Sequence, residues 1–324
     1  MRSVIAVLLA GLLLASPAAA AGEQPPRPGE TVVAGAVATD AFASGEAVLH
    51  FIQGYRARPE PTRVPAALRA ASRTGALARP EAAGLHVGFL AGVIAAQPTR
   101  ADALIAALSP FPQEDAWVII RAIAYSGHPD WKGLLARSAA RFPHHDAMIQ
   151  AYVSDRLPTL ARLAMDEPAS VWTRLRGWFR FGEPADKMPA LAVGPDVLDT
   201  LWGIYFATGD AAPLARIVAL LPWSEERADA GRLTVGCMAK FTLAANAARD
   251  PVLLGLLRGE LAGQPAGTAG VLKDTIAAAE SIDLGRIRKE SIDAIRALEK
   301  GTPPATPQRD SSLWRRTVAA VLLR

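Results

Sequence analysis

A single cysteine, five histidines and no alternating run of β-branched residues mark this 324-residue chain, and each scarcity removes a class of explanation. One cysteine cannot form a disulfide within the chain, so packing alone must hold the fold. That residue, Cys237, sits in TVGCMAKF, an apolar helical context with no histidine beside it, which reads as a buried, inert thiol rather than a nucleophile. Alternating Val- and Ile-rich segments and Asn-Gly or Asp-Gly turns are missing, which argues against strands and hairpins. No G-x-S-x-G elbow, no G-x-x-x-x-G-K phosphate loop and no H-E-x-x-H helix occurs. Those absences weigh against the common hydrolases, nucleotide enzymes and zinc peptidases.

Charge of one sign is also scarce. The formal balance of +4 is too small to imply a nucleic-acid partner. Among the histidines, only His144-His145-Asp146 form a cluster. Neighbouring helical residues point about 100° apart, so the pair makes poor joint ligands, and no metal is expected. Glu46 and His50 are spaced i,i+4 for a surface pair, and His128 lies in a turn where capping explains it. No cofactor is implied.

What is present is a long apolar, helical chain, 51% hydrophobic and 20% charged. Its first residues read as a secretory signal: Arg2 is followed by an apolar run, Val4 to Ala15, then Ser16-Pro17 and small residues that suit cleavage after Ala20 or Ala21. The expected organisation is a signal over 1–21 and a Pro-, Gly- and Ala-rich leader over 22–45. A helical domain over 46–300 follows, with an insert at about 156–193, then a linker over 301–312 and an amphipathic tail over 313–324. Export to the periplasm or beyond follows from the signal.

Four stretches share one plan, in which an apolar helix ends in small residues, turns briefly and returns as a leucine-rich helix. They are residues 92–110, 122–143, 204–222 and 242–261, with turns at Pro98, Gly127-His128-Pro129, Gly209-Asp210 and Asp250-Pro251. Glycine suits the left-handed cap, and Asp or Thr suits the start of the next helix. In the third unit Leu214, Ile217, Val218 and Leu221 make an apolar stripe, while the partner Val197–Phe206 is apolar nearly all round. Such pairs must be covered by neighbours. The predicted fold is therefore all-α, an irregular α-solenoid of stacked helix pairs in the manner of TPR or HEAT arrays, with a globular orthogonal bundle as the alternative. A helix from Asp283 to Lys300, buried through Leu284, Ile287, Ile292, Ile295 and Leu298, would cap the stack. Residues 81–96 form a further helix with Leu85, Phe89, Val93 and Ile94 along one side.

The segments VPAALRAASRTGALARPEAAGLHVGFLAGVIAAQP (64–98) and LDTLWGIYFATGDAAPLARIVALLPW (198–223) resemble a family of exported bacterial proteins of unknown function. The resemblance spans about Phe51 to Glu280, implies a helical fold and carries no activity or catalytic residue.

Two segments carry binding chemistry. In the insert, Trp172 and Trp178 alternate with Arg174, Arg176 and Arg180, a pattern that can stack on sugars, anionic headgroups or acidic peptides. The bland alternative docks its aromatics on the core. In the tail, Trp314 with Arg315 and Arg316 would form a cationic amphipathic face for peripheral membrane or partner contact. The expected function is an envelope binding or scaffold protein for a protein or peptide. An enzyme on envelope polymers, using Glu183 or Asp186, and a membrane-peripheral adaptor are the alternatives.

Overall fold

The computed structural model describes residues 42–164 and 191–301. Within them the chain is all-helical, with thirteen α-helices. These are α1 (Gly45–Gly54), α2 (Val64–Arg73), α3 (Gly84–Ala96), α4 (Ala101–Leu108), α5 (Trp117–Tyr125), α6 (Trp131–Ser138) and α7 (Asp146–Val153). After a break come α8 (Pro195–Thr208), α9 (Ala211–Val218), α10 (Ala230–Ala247), α11 (Pro251–Leu261), α12 (Ala266–Glu280) and α13 (Leu284–Gly301). The sole extended pairing among the described residues is a two-residue parallel bridge, β1 (Leu163–Ala164) with β2 (Leu191–Ala192). It is too short for any alternation pattern to reveal it.

The helix-turn-helix units form where the turn chemistry requires. Gly209 closes α8 at φ 75, and Gly127 follows α5 at φ 67, both left-handed conformations that glycine adopts without steric cost. Asp130 accepts a bond from the Gly133 N–H at 3.2 Å to start α6. Asp250 accepts from Val252 and Leu253, each at 3.1 Å, to start α11. The capping expectation fails at the other two turns. Pro98–Arg100 is a single 3₁₀ turn with no side-chain cap, and at Asp210 the neighbour Thr208 accepts the backbone N–H instead. The predicted stripe is buried throughout, with Leu214, Ile217 and Val218 of α9 and Leu221 of the following 3₁₀ turn each at most 1% exposed.

Packing along the N-terminal half joins both adjacent and alternate helices. α3 lies against α5, and α4 lies against α6, while α1 pairs with α2 and α6 with α7. The most extensive helix contact, however, joins α3 to α8, about a hundred residues further along the chain. A stack held only by neighbours has no such pairing, so the pairs are stacked locally and tied across the chain by this crossing.

Glycine makes the crossing possible. A Cβ on Gly88 would overlap the Thr200 carbonyl oxygen and sit 2.7 Å from its carbon; one on Gly92 would sit 2.6 Å from the Ala207 Cβ. One on Gly203 would sit 2.5 Å from the Phe89 nitrogen. Small residues at i, i+4 and i+8 let two helix backbones touch. The pairing of Gly84 with Asp196 and Asp199, Gly88 with Thr200, and Gly92 with Ile204 and Ala207 runs in one direction, so α3 and α8 are parallel. Consequently α3 is buried on every side from Gly84 to Ile94, not on the single stripe that its large residues suggest.

One continuous core joins α1 through α12, and two smaller clusters hold α13. Ile287 and Ile295 of α13 are buried, and Leu284, Ile292 and Leu298 pack at their edges, as the sequence pattern requires of a capping helix. A buried bond from the Trp202 indole N–H to Thr242 Oγ1 at 3.0 Å ties α8 to α10. Arg56 pairs with Asp250, and its guanidinium lies 5.1 Å from the Tyr205 ring centre, joining the end of α1 to the start of α11.

Candidate functional site

The residues with the clearest binding chemistry in the sequence, Trp172, Arg174, Arg176, Trp178 and Arg180, lie outside the described residues, as do Glu183 and Asp186. So do Trp314, Arg315 and Arg316 of the tail. The β1–β2 bridge holds the chain on either side of 165–190 together, and β2 leads directly into α8.

The histidines and the cysteine occupy ordinary structural positions. Glu46 and His50 approach to 4.0 Å on an exposed face. His128 accepts the Asp130 N–H at 3.1 Å and contacts the Pro98 carbonyl at 3.2 Å, bridging two turns. His145 precedes α7, and partial burial, with the neighbouring His144 charge, lowers its pKa. Among the described residues no three His, Cys, Asp or Glu converge as a metal site. Cys237 is buried in a cluster with Leu233 and Ile295, and burial pushes its thiol up, away from the reactive thiolate.

A polar cluster that sequence reading missed lies where α3 and α8 begin. Because the two helices are parallel and in backbone contact, their N-termini sit side by side, with Gly84 against the Asp196 carbonyl. Neither start has a side-chain cap: the N-cap residues are Ala83 and Gly194, and Pro195 opens α8. Asp196 and Asp199 are one turn apart on α8, and the Asp199 Cβ lies 3.0 Å from where a Gly84 Cβ would stand. Asp199 is 1% exposed, and neither carboxyl oxygen has a hydrogen-bond partner. Burial raises its pKa well above 3.8, and the negative charge of Asp196 raises it further. A carboxyl buried without a partner is favoured in its neutral form, which has a hydroxyl to donate.

Two further helices complete the cluster. Arg121 of α5 lies 4.9 Å from the Trp117 ring centre, hydrogen-bonds the Tyr152 hydroxyl of α7 and is within electrostatic reach of Asp196. Tyr125 and Tyr152 meet edge-to-face at 6.4 Å. Burial raises the Tyr125 phenol well above 10, so it too stays protonated. Asp196, Arg121 and Tyr125 each retain some solvent exposure, while Asp199 has almost none. The arrangement offers a guanidinium, phenol hydroxyls, a protonated carboxyl and two helix starts. That is a donor-rich environment, without a paired nucleophile and base.

Comparison of the chain with protein-family models, with curated proteins and with solved structures found no match. The resemblance seen in residues 64–98 and 198–223 therefore gains no support from them. No described helix is long and apolar enough to cross a membrane.

Proposed function

We propose that this is an exported binding protein of the cell envelope that recognises a protein or peptide partner. The observation that carries the reading is the donor-rich cluster at the joined starts of α3 and α8. A buried carboxyl with no partner destabilises the fold, and proteins retain such groups chiefly where they serve a site. The scaffold around it suits the role. The groups of the cluster sit on packed helices, with α3 against α5 and α8, and helices hold recognition groups more accurately than loops. Export rests on the n-region, apolar run and small-residue site of residues 1–21.

Native mass spectrometry of the protein gently extracted from envelopes tests this reading. The expected result is a discrete complex heavier than the processed chain by the mass of one partner. A free, unliganded chain under conditions that preserve other envelope complexes would overturn it.

A further inference from the structure

We infer that the joined N-terminal ends of α3 and α8 bind a carboxylate, the free C-terminus of a peptide or protein. The inference deepens the binding role proposed above and rests on it for the identity of the partner. Its geometry stands independently.

The first N–H groups of an α-helix have no acceptor within the helix, and the aligned peptide dipoles place about half a positive charge there. α3 and α8 have 13 and 14 residues, long enough for that field to develop. An N-cap side chain normally satisfies one of these N–H groups, and the N-cap residues Ala83 and Gly194 have none that can. The Asp199 carboxyl, buried and unpartnered, stands at this junction beside Gly84. Ionised, it would be the natural cap for the α3 start; protonated, it is instead a donor that a ligand oxygen can accept from.

Charge selects the ligand. Two helix starts contribute about +0.5 each, and Arg121 adds a positive charge within electrostatic reach of the negative Asp196. The Asp196 carboxylate beside these donors repels a phosphate dianion more strongly than a monoanion. A carboxylate also has the geometry for the groups present. Its two oxygens can take the Asp199 hydroxyl and the backbone N–H groups, with Arg121, within electrostatic reach of Asp196, adding positive charge. Capture of a C-terminal carboxylate by backbone N–H groups is an established recognition mode, and it accords with a partner that is a peptide or protein.

The test uses the full processed chain, labelled with ¹⁵N, and sodium acetate as the probe against sodium chloride at equal ionic strength. Acetate is expected to shift the amides of Gly84, Leu85, Asp196 and Val197 along saturating curves, and chloride is not. Arg121→Gln should weaken acetate at least tenfold, and Asp199→Asn, which keeps a donor, should remain within about threefold. Inorganic phosphate should bind more weakly than acetate. Acetyl-Ala-Ala and its C-terminal amide then separate the sources: a shift with the acid and none with the amide supports a peptide terminus. Equal binding of acid and amide would overturn the carboxylate assignment. Amides that stay still in acetate, or move equally in chloride, would overturn the site itself. A partner found in envelopes despite still amides leaves the binding role standing and removes this site. Saturating amides with no envelope partner would do the reverse.

Discussion

Adding one methyl group at Gly88 should destabilise this fold, although the same substitution stabilises an exposed helix. The Cβ would lie 2.7 Å from the Thr200 carbonyl carbon and 2.8 Å from its Cα, where carbon atoms rest at about 3.5–4.0 Å. The two helices would have to part by at least about 0.8 Å to relieve the carbon contacts and further to clear the carbonyl oxygen, and because the obstructing atoms are backbone, no rotamer change relieves them. Overpacking of this kind costs about 1–3 kcal/mol, and more when the surroundings cannot yield. The better helix propensity of alanine returns about 1 kcal/mol. A net loss of about 2 kcal/mol or more is expected for Gly88→Ala. Gly255→Ala supplies the control. That glycine lies in α11, is exposed, and has nothing within 4 Å of its would-be Cβ, so the same substitution should gain about 0.5–1 kcal/mol. Urea unfolding followed by circular dichroism at 222 nm measures both. A Gly88→Ala protein as stable as Gly255→Ala would refute the backbone contact between α3 and α8.

Three further outcomes follow from the same structure. Folded Asp199 holds its proton to higher pH than the unfolded chain does. Stability should therefore fall as pH rises from about 4 toward the folded value, by about 1.4 kcal/mol per unit of separation. Asp199→Asn should abolish that fall and be the more stable protein at pH 7. His86, 2% exposed, acts in the opposite direction: burial lowers its pKa from 6.5 to about 4. Stability is therefore lost as pH drops through that window, by about 3 kcal/mol in full, and His86→Gln should remove that acid-side loss; denaturant titrations at pH 4 to 7 check both slopes. At Asp250, which both pairs with Arg56 and caps α11, replacement by Asn keeps the cap and by Ala removes it. Ala should cost about 1 kcal/mol more than Asn, and equal losses in thermal melts would show that the cap contributes nothing.

Local features were legible because their causes are local. Gly209, Asp130 and Asp250 mark turns by their own conformational and hydrogen-bonding preferences, and the stripe from Leu214 to Leu221 declares its buried side by spacing. The α13 cap was readable for the same reason. The α3–α8 crossing was not, since its cause is a match between two segments a hundred residues apart. Its signal is nonetheless in the chain: Gly84, Gly88 and Gly92 repeat every four residues, and Gly203 and Ala207 answer them. Large residues drew the reading toward Leu85, Phe89 and Val93, although the small ones decide which helix comes closest. The site shows a similar gap. Asp199 interrupts an otherwise apolar helix, which is visible in LDTLWGIYF, but its neighbours Arg121, Tyr125 and Tyr152 come from α5 and α7 and share no spacing with it. The aromatic-arginine insert, prominent in sequence, lies outside the described residues.

Quantitative capture from gently crosslinked envelopes, with the processed wild-type chain and Arg121→Gln as paired baits, tests the central claim most directly. The account predicts one protein recovered near equimolar amounts with the wild type and depleted at least fivefold with the variant, provided both baits give the same helical signal. No near-equimolar protein with the wild-type bait, or equal recovery with both, would contradict it.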